Sequence, residues 1–206
     1  MTRIAAFLLA AAAFALPAAA QEPATCKKII FSDVGWTDIT ATTAVATTIL
    51  DSLGYETEIK VLSLPVTFTA MAKGDVDVFL GLWMPSMEAD IAPYCEAKTV
   101  DLMRTNLTGA KYTLATNKSG ADLGIDDYAK IAAQKDALDG KIYGIEPGND
   151  GNRLLIDMIA QNKFGLGTFE VVESSEQGML AQVARETRGD KPIVFLGWEP
   201  HPMNSS

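Results

Sequence analysis

Histidine and cysteine are scarce in this chain: His201 is the single histidine, and Cys26 and Cys95 are the two cysteines, among 206 residues. One histidine so near the C-terminus leaves no cluster with metal-ligand spacing and no cysteine–histidine pairing. No nucleophile elbow is present either. Two thiols alone make a poor zinc site. The expectation is a protein with no cofactor, no metal and no enzymatic activity. Positive charge is also short, with 17 Lys and Arg against 26 Asp and Glu and a formal net charge of −9. Without a basic stripe to neutralise phosphates, nucleic acid is a poor partner. The negative field suits a cationic ligand, and it equally suits an ordinary acidic secreted protein.

Long apolar runs are confined to the start. Met1-Thr2-Arg3 precedes an Ala- and Leu-rich run from Ile4 to Leu16, followed by Pro17-Ala18-Ala19-Ala20-Gln21. One cation, a short apolar core and small residues before a polar start predict a secretory signal peptide over residues 1–20, cleaved after Ala20. The run is short for a bilayer span. A lipoprotein would need Cys as the first mature residue, where Gln21 stands. Cleavage removes Arg3 and no acid, so the mature chain is more negative still. Export makes a Cys26–Cys95 disulfide the expected state, with two separate buried thiols as the alternative. Such a bridge would close a loop of about 70 residues and contribute roughly 4 kcal/mol in the chain-entropy picture.

The remainder alternates strands and helices. Short runs rich in Val, Ile and Phe predict strands at Lys28–Ser32, Thr57–Leu62, Val76–Leu80, Tyr112–Thr116, Lys141–Ile145, Phe169–Glu173 and Ile193–Leu196. Helices are expected at Thr37–Leu53, Val66–Lys73, Asp150–Lys163 and Glu176–Thr187, each running out at or near a glycine. The alternation predicts an α/β fold with largely parallel sheets. Asp101–Gly109 reads as a change of unit, so a two-lobed architecture is expected.

Each of the three tryptophans follows a strand-like run and a glycine: Ser32-Asp33-Val34-Gly35-Trp36, Phe79-Leu80-Gly81-Leu82-Trp83 and Phe195-Leu196-Gly197-Trp198. In open α/β sheets, ligands sit beyond the carboxyl ends of the strands. One such tryptophan is an ordinary core residue. Three in the same position point to a crevice lined with indole faces. Ring faces attract cations, at on the order of 1–2 kcal/mol per desolvated contact, and aromatic cages are the recurring solution for quaternary ammonium groups. Micromolar binding needs about 8 kcal/mol. Burial of the methyl groups supplements what the rings supply.

Ser32-Asp33-Val34-Gly35-Trp36-Thr37-Asp38, Gly81-Leu82-Trp83-Met84-Pro85 and Phe195-Leu196-Gly197-Trp198-Glu199-Pro200-His201 together resemble the substrate-binding proteins of choline and glycine betaine ABC importers, and the periplasmic choline-binding branch in particular. The resemblance runs from about Lys27 to the end. It implies a type II-like periplasmic binding protein with a ligand cleft between two lobes. It also implies a box of three tryptophans and one tyrosine around a trimethylammonium group. Trp36, Trp83 and Trp198 match directly, and Tyr112 fits the tyrosine's place; on its own residues, Tyr112 is equally a half-buried strand tyrosine. By the same resemblance Asp38 would meet the ligand's hydroxyl end. A carboxylate there accepts a charge-assisted hydrogen bond from an alcohol and repels a carboxylate ligand. Asp38 is also what the start of a helix favours, and the two roles are compatible. Asn149, in Glu146-Pro147-Gly148-Asn149-Asp150-Gly151-Asn152, is a second candidate partner for the hydroxyl; the alternative is a plain turn with Asp150 capping the helix.

The resemblance implies further an extracytoplasmic, periplasmic monomer that serves an ABC permease in the inner membrane. Lobe 1 is expected over residues 21–107, lobe 2 over 108–198, and the start of a return crossover over 199–206. Family members return after the second lobe to complete the first, so the chain is expected to be C-terminally truncated. Two rivals stay open: a binder of glycine betaine or proline betaine, and an extracytoplasmic sensor of quaternary ammonium compounds.

Overall fold

A computed structural model describes residues 26–205 of the chain. The signal peptide expected over residues 1–20 lies outside them. The first lobe comprises β1 (Lys28–Asp33), α1 (Thr37–Ser52), β2 (Glu56–Val61), α2 (Leu64–Lys73), β3 (Val78–Phe79) and α3 (Glu88–Glu96). Its sheet is fully parallel, in the order β2-β1-β3. The second lobe comprises β4 (Lys111–Thr116), α4 (Lys118–Asp122), α5 (Tyr128–Ile131), β5 (Lys141–Tyr143), α6 (Asp150–Ala160), β6 (Glu170–Val172), α7 (Glu176–Arg188) and β7 (Val194–Glu199). Its sheet has the order β4-β7-β5-β6, parallel except where β4 runs against β7. Residues 101–110 carry no regular element and join the two lobes.

All seven expected strands form, with the largest change at Val76–Leu80. That strand shortens to Val78–Phe79, because Asp77 turns its carboxylate to the Ile30 N–H at 2.8 Å and ends the ladder. β7 is central, between β4 and β5, and buried from Val194 to Trp198, which is why its sequence is almost continuously apolar. Helix ends follow local chemistry. Pro65 stands in the first turn of α2, and Gly74 closes that helix at φ +76°. The Ser175 hydroxyl caps α7 by accepting the Gly178 N–H at 3.1 Å. α6 stops at Ala160, short of the expected Lys163, because Asn162, Phe164 and Gly165 all adopt left-handed backbone. The core beneath the second sheet contains Ile142, Leu155, Leu166, Met179 and Ile193, each at most 3% exposed. Burying each such side chain contributes about 1.5–3 kcal/mol.

The expected disulfide is not formed. Cys26 is an exposed free thiol just before β1, and Cys95 is a half-buried free thiol near the end of α3. A bridge needs the two Cβ atoms about 3.5–4.5 Å apart. Cys95 instead packs against the apolar core, which is the separate-thiol alternative for that residue.

Several bonds join the lobes. The Arg153 guanidinium of α6 reaches Asp90 of α3 at 2.7 Å and the Ser86 carbonyl at 3.2 Å. The Gln177 side chain of α7 donates to the Gly35 carbonyl at 2.9 Å. Glu176 is buried and accepts from the Thr37 N–H at 2.9 Å on one oxygen and from the Thr37 hydroxyl on the other, and His201 stands 3.1 Å from that second oxygen.

Candidate ligand-binding site

The chain leaves β1 through a turn that Asp33 organises. Its carboxylate accepts the Gly35 N–H at 2.8 Å and the Thr40 hydroxyl at 2.7 Å. Gly35 takes φ +81°, a conformation that side-chain-bearing residues rarely adopt, and this delivers Trp36 to the N-cap position of α1. Trp36 is 4% exposed. After β3, Trp83 is held through its main chain: its carbonyl accepts from the Met87 N–H at 2.9 Å and the Ser86 hydroxyl at 3.1 Å. Gly81 serves a different purpose from Gly35, since a Cβ there would lie 2.8 Å from the Phe79 ring.

The other two rings come from paired strands. Tyr112 of β4 lies directly opposite Trp198 of β7, so the pleat sends both side chains to one face. Their ring centroids are 6.3 Å apart at 86°. Trp83 approaches Tyr112 at 5.8 Å and 53°. Trp198 therefore sits within a strand rather than beyond its end, and Gly197 is needed because a Cβ would meet that of Ala115 at 2.8 Å. The Tyr112 hydroxyl donates to the Asn149 carbonyl oxygen at 3.1 Å. Burial, with the charges of Asp150 and Glu146 adding to it, holds that phenol protonated far above its usual range. Gly151 makes room for it, as a Cβ there would collide with the Tyr112 hydroxyl.

Trp36, Trp83, Tyr112 and Trp198 thus converge at the junction of the lobes, joined by Met87, Ile145, Asn149 and Asp150. They surround about 230 Å³ of atom-free space, part of it open to solvent.

The indole N–H groups are fixed reciprocally. Trp36 of lobe 1 donates to Glu146 of lobe 2 at 2.9 Å, and Trp198 of lobe 2 donates to Asp38 of lobe 1 at 3.1 Å. Each ring edge is tied to a carboxylate of the opposite lobe. Burial raises the pKa of both acids, and the indole N–H bonds oppose that rise. Asp38, expected at the ligand's hydroxyl end, thus has one oxygen engaged in orienting Trp198 and is not among the residues lining the cavity.

Asn149 does line the cavity, and it also caps α6. Its carbonyl oxygen accepts the Gly151 N–H at 2.8 Å and the Asn152 N–H at 3.4 Å. That oxygen is saturated once Tyr112 is counted, so the amide N–H₂ is the group Asn149 can offer a ligand. Asp150, the cap in the alternative reading, stands at the first helical position and faces the cavity. Asp150, Met87, Ile145 and the orienting Glu146 are the site residues that sequence reasoning missed. Met87 and Ile145 look like any other core residue. The run of Asn149 and Asp150 was legible as a cap, with the two roles exchanged.

Residues 27–206 match the family of the substrate binding domain of ABC-type glycine betaine transport systems. The chain belongs to this family. It is 71% identical to a solved ABC-transporter choline binding protein in complex with choline, with a TM-score of 0.86 over 89% of this chain. The chain covers 64% of that protein's length. It is 26% identical to the glycine betaine and L-proline binding protein of Borrelia burgdorferi, with a TM-score of 0.73 over 87% of this chain and 66% of that one. An uncharacterised protein of Chromohalobacter salexigens, ORF1, shares 45% identity over 63% of this chain and 83% of its own. The two-lobed α/β architecture is that of the periplasmic binding proteins.

Proposed function

We propose that this protein captures choline between its lobes as the extracytoplasmic substrate-binding component of an ABC importer. The observation that carries the reading is the set of four aromatic rings, two from each lobe, around a small cavity whose lining contains no basic side chain. A trimethylammonium group cannot donate a hydrogen bond, and ring faces are what attract it. Identity of 71% to a choline binding protein supports the same ligand.

The hydroxyl end of choline is assigned to Asn149 and Asp38. Asn149 offers its amide N–H₂ to the hydroxyl oxygen. Asp38 accepts the hydroxyl proton, with its Trp198 bond kept on one oxygen. Glycine betaine is the second reading, favoured by the family's own description. Its carboxylate needs donors, and the lining provides the Asn149 amide alongside an acid, Asp150. The arrangement therefore prefers the alcohol. The protein binds without turning its ligand over.

For mechanism, choline docks on Trp36 and Trp83 of lobe 1, and lobe 2 closes Tyr112 and Trp198 over it by hinge motion. The closed form is what an inner-membrane permease reads. Lobe boundaries at 21–107 and 108–198, a return beginning at residue 199, a signal peptide over residues 1–20 and periplasmic release of a monomer complete the proposal. Tryptophan fluorescence tests the cage: choline should produce a saturable change in emission. Folded protein whose indole emission stays constant as choline is added would count against it.

A further inference from the structure

Asp150 has surroundings that helix capping does not explain. It is 1% exposed, and no hydrogen bond of ordinary geometry reaches either carboxylate oxygen; the Ser86 hydroxyl and its own N–H are the donors close by. The adjacent Ser86 hydroxyl gives its own bond to the Trp83 carbonyl at 3.1 Å. The Arg153 guanidinium, the nearest cation, is committed to Asp90 and to the Ser86 carbonyl. The cap itself is supplied by Asn149. A buried carboxylate left in this state is strongly unfavourable unless a proton or a cation neutralises it.

Among the residues that line the aromatic cavity, Asp150 alone carries a formal charge. We infer that Asp150 is the counter-charge of the bound ligand, so that its carboxylate, and not the ring faces alone, selects a cation. The inference rests on the proposed capture of choline and deepens it. A quaternary ammonium ion has no N–H to direct, so its partner needs proximity and a dry environment rather than hydrogen-bond geometry. Asp150 offers both. The ligand in turn supplies positive charge inside the cavity, whose lining holds no basic side chain. The rings shape the site and surround the methyl groups, while Asp150 distinguishes a charged ligand from a neutral one of the same shape.

The test compares choline with its uncharged carbon isostere, 3,3-dimethylbutan-1-ol, on wild-type protein and on Asp150→Asn. The substitution keeps the shape and removes the charge. Choline affinity should fall by at least about tenfold, given the strength of a close charge pair in a low-dielectric site, while affinity for the neutral alcohol stays within about twofold. Equal losses for both ligands would mean a structural role for Asp150, and no loss for choline would mean no role in charge selection; either result overturns the inference. Should the variant not fold, the carboxyl ¹³C shift of Asp150 in the wild-type protein carries the same question. Followed across pH, its titration midpoint should move to lower pH with choline and stay in place with the alcohol. A signal that does not respond to choline overturns the inference. Wild-type protein that binds neither ligand would instead fail at the earlier step, and the choline reading would fall first.

Discussion

The two halves of the cage are built differently. Trp36 and Trp83 sit on turns after short parallel strands and owe their positions to local devices: a left-handed Gly35, the Asp33 carboxylate, and the Met87 and Ser86 bonds to Trp83. Tyr112 and Trp198 face each other across an antiparallel pair, and the pleat itself fixes their common direction. The first half rests on turn geometry, while the second belongs to a strand that is central in its sheet and buried. The reciprocal indole–carboxylate bonds then tie each half to the opposite lobe.

Removing Trp198 should break the strand-built half with the largest effect. Trp198→Ala loses a ring face and also the donor that Asp38 accepts from. A fall of about hundredfold in choline affinity is expected, from roughly 2 kcal/mol of cation–π attraction together with lost methyl packing. Calorimetry on both proteins measures it. Gly151→Ala should come next. It leaves every ring in the chain but takes the space of the Tyr112 hydroxyl. Overpacking of this kind costs about 1–3 kcal/mol, and here it should appear both as a lowered thermal midpoint and as roughly tenfold weaker binding.

A smaller effect separates the ring from its tether. Trp36→Phe keeps an aromatic face and removes the N–H given to Glu146. Loss of one hydrogen bond to a charged group, about 1.5 kcal/mol, predicts on the order of tenfold weaker binding at most, and Glu146→Ala, which removes the acceptor, should match it if the tether is what matters. The smallest effect is that of pH. Asp38, Glu146 and Asp150 all have carboxyl pKa values raised by burial. The folded, empty protein therefore binds protons more readily than the unfolded chain. These groups stabilise it most below the ordinary carboxylate range, and that contribution is lost as pH rises through the raised values. Choline favours the charged carboxylates, so its affinity should move the other way and weaken as pH falls from 7 towards 5. Melting curves with and without choline across that range report both trends.

Much of this arrangement could be read from the residues. The strands were legible because runs such as Lys28–Ser32 and Ile193–Leu196 are short, β-branched and bounded by turn residues. Trp36 and Trp83 were legible for the same reason: a strand end and a glycine precede each. Trp198 was placed in the cavity by the wrong argument, because Gly197 reads as a turn while it lies inside β7 and packs on Ala115. α3 was hidden by Pro93 within it, and α4 and α5 are too short to show a helical period. The exchange of roles between Asn149 and Asp150 was not legible, since both are good capping residues and only the packing of Tyr112 against Asn149 decides between them. The pairing of Cys26 with Cys95 was argued from the compartment alone, which says nothing about whether two side chains approach each other.

Calorimetric titration of the wild-type protein with choline and with glycine betaine, side by side at neutral pH, tests the central claim most directly. A cage lined by Asp150, with Asp38 bonded to the Trp198 indole and no basic side chain in the lining, predicts saturable binding of choline at least about tenfold tighter than glycine betaine. Tighter binding of glycine betaine, or no heat with choline from folded protein, would contradict it.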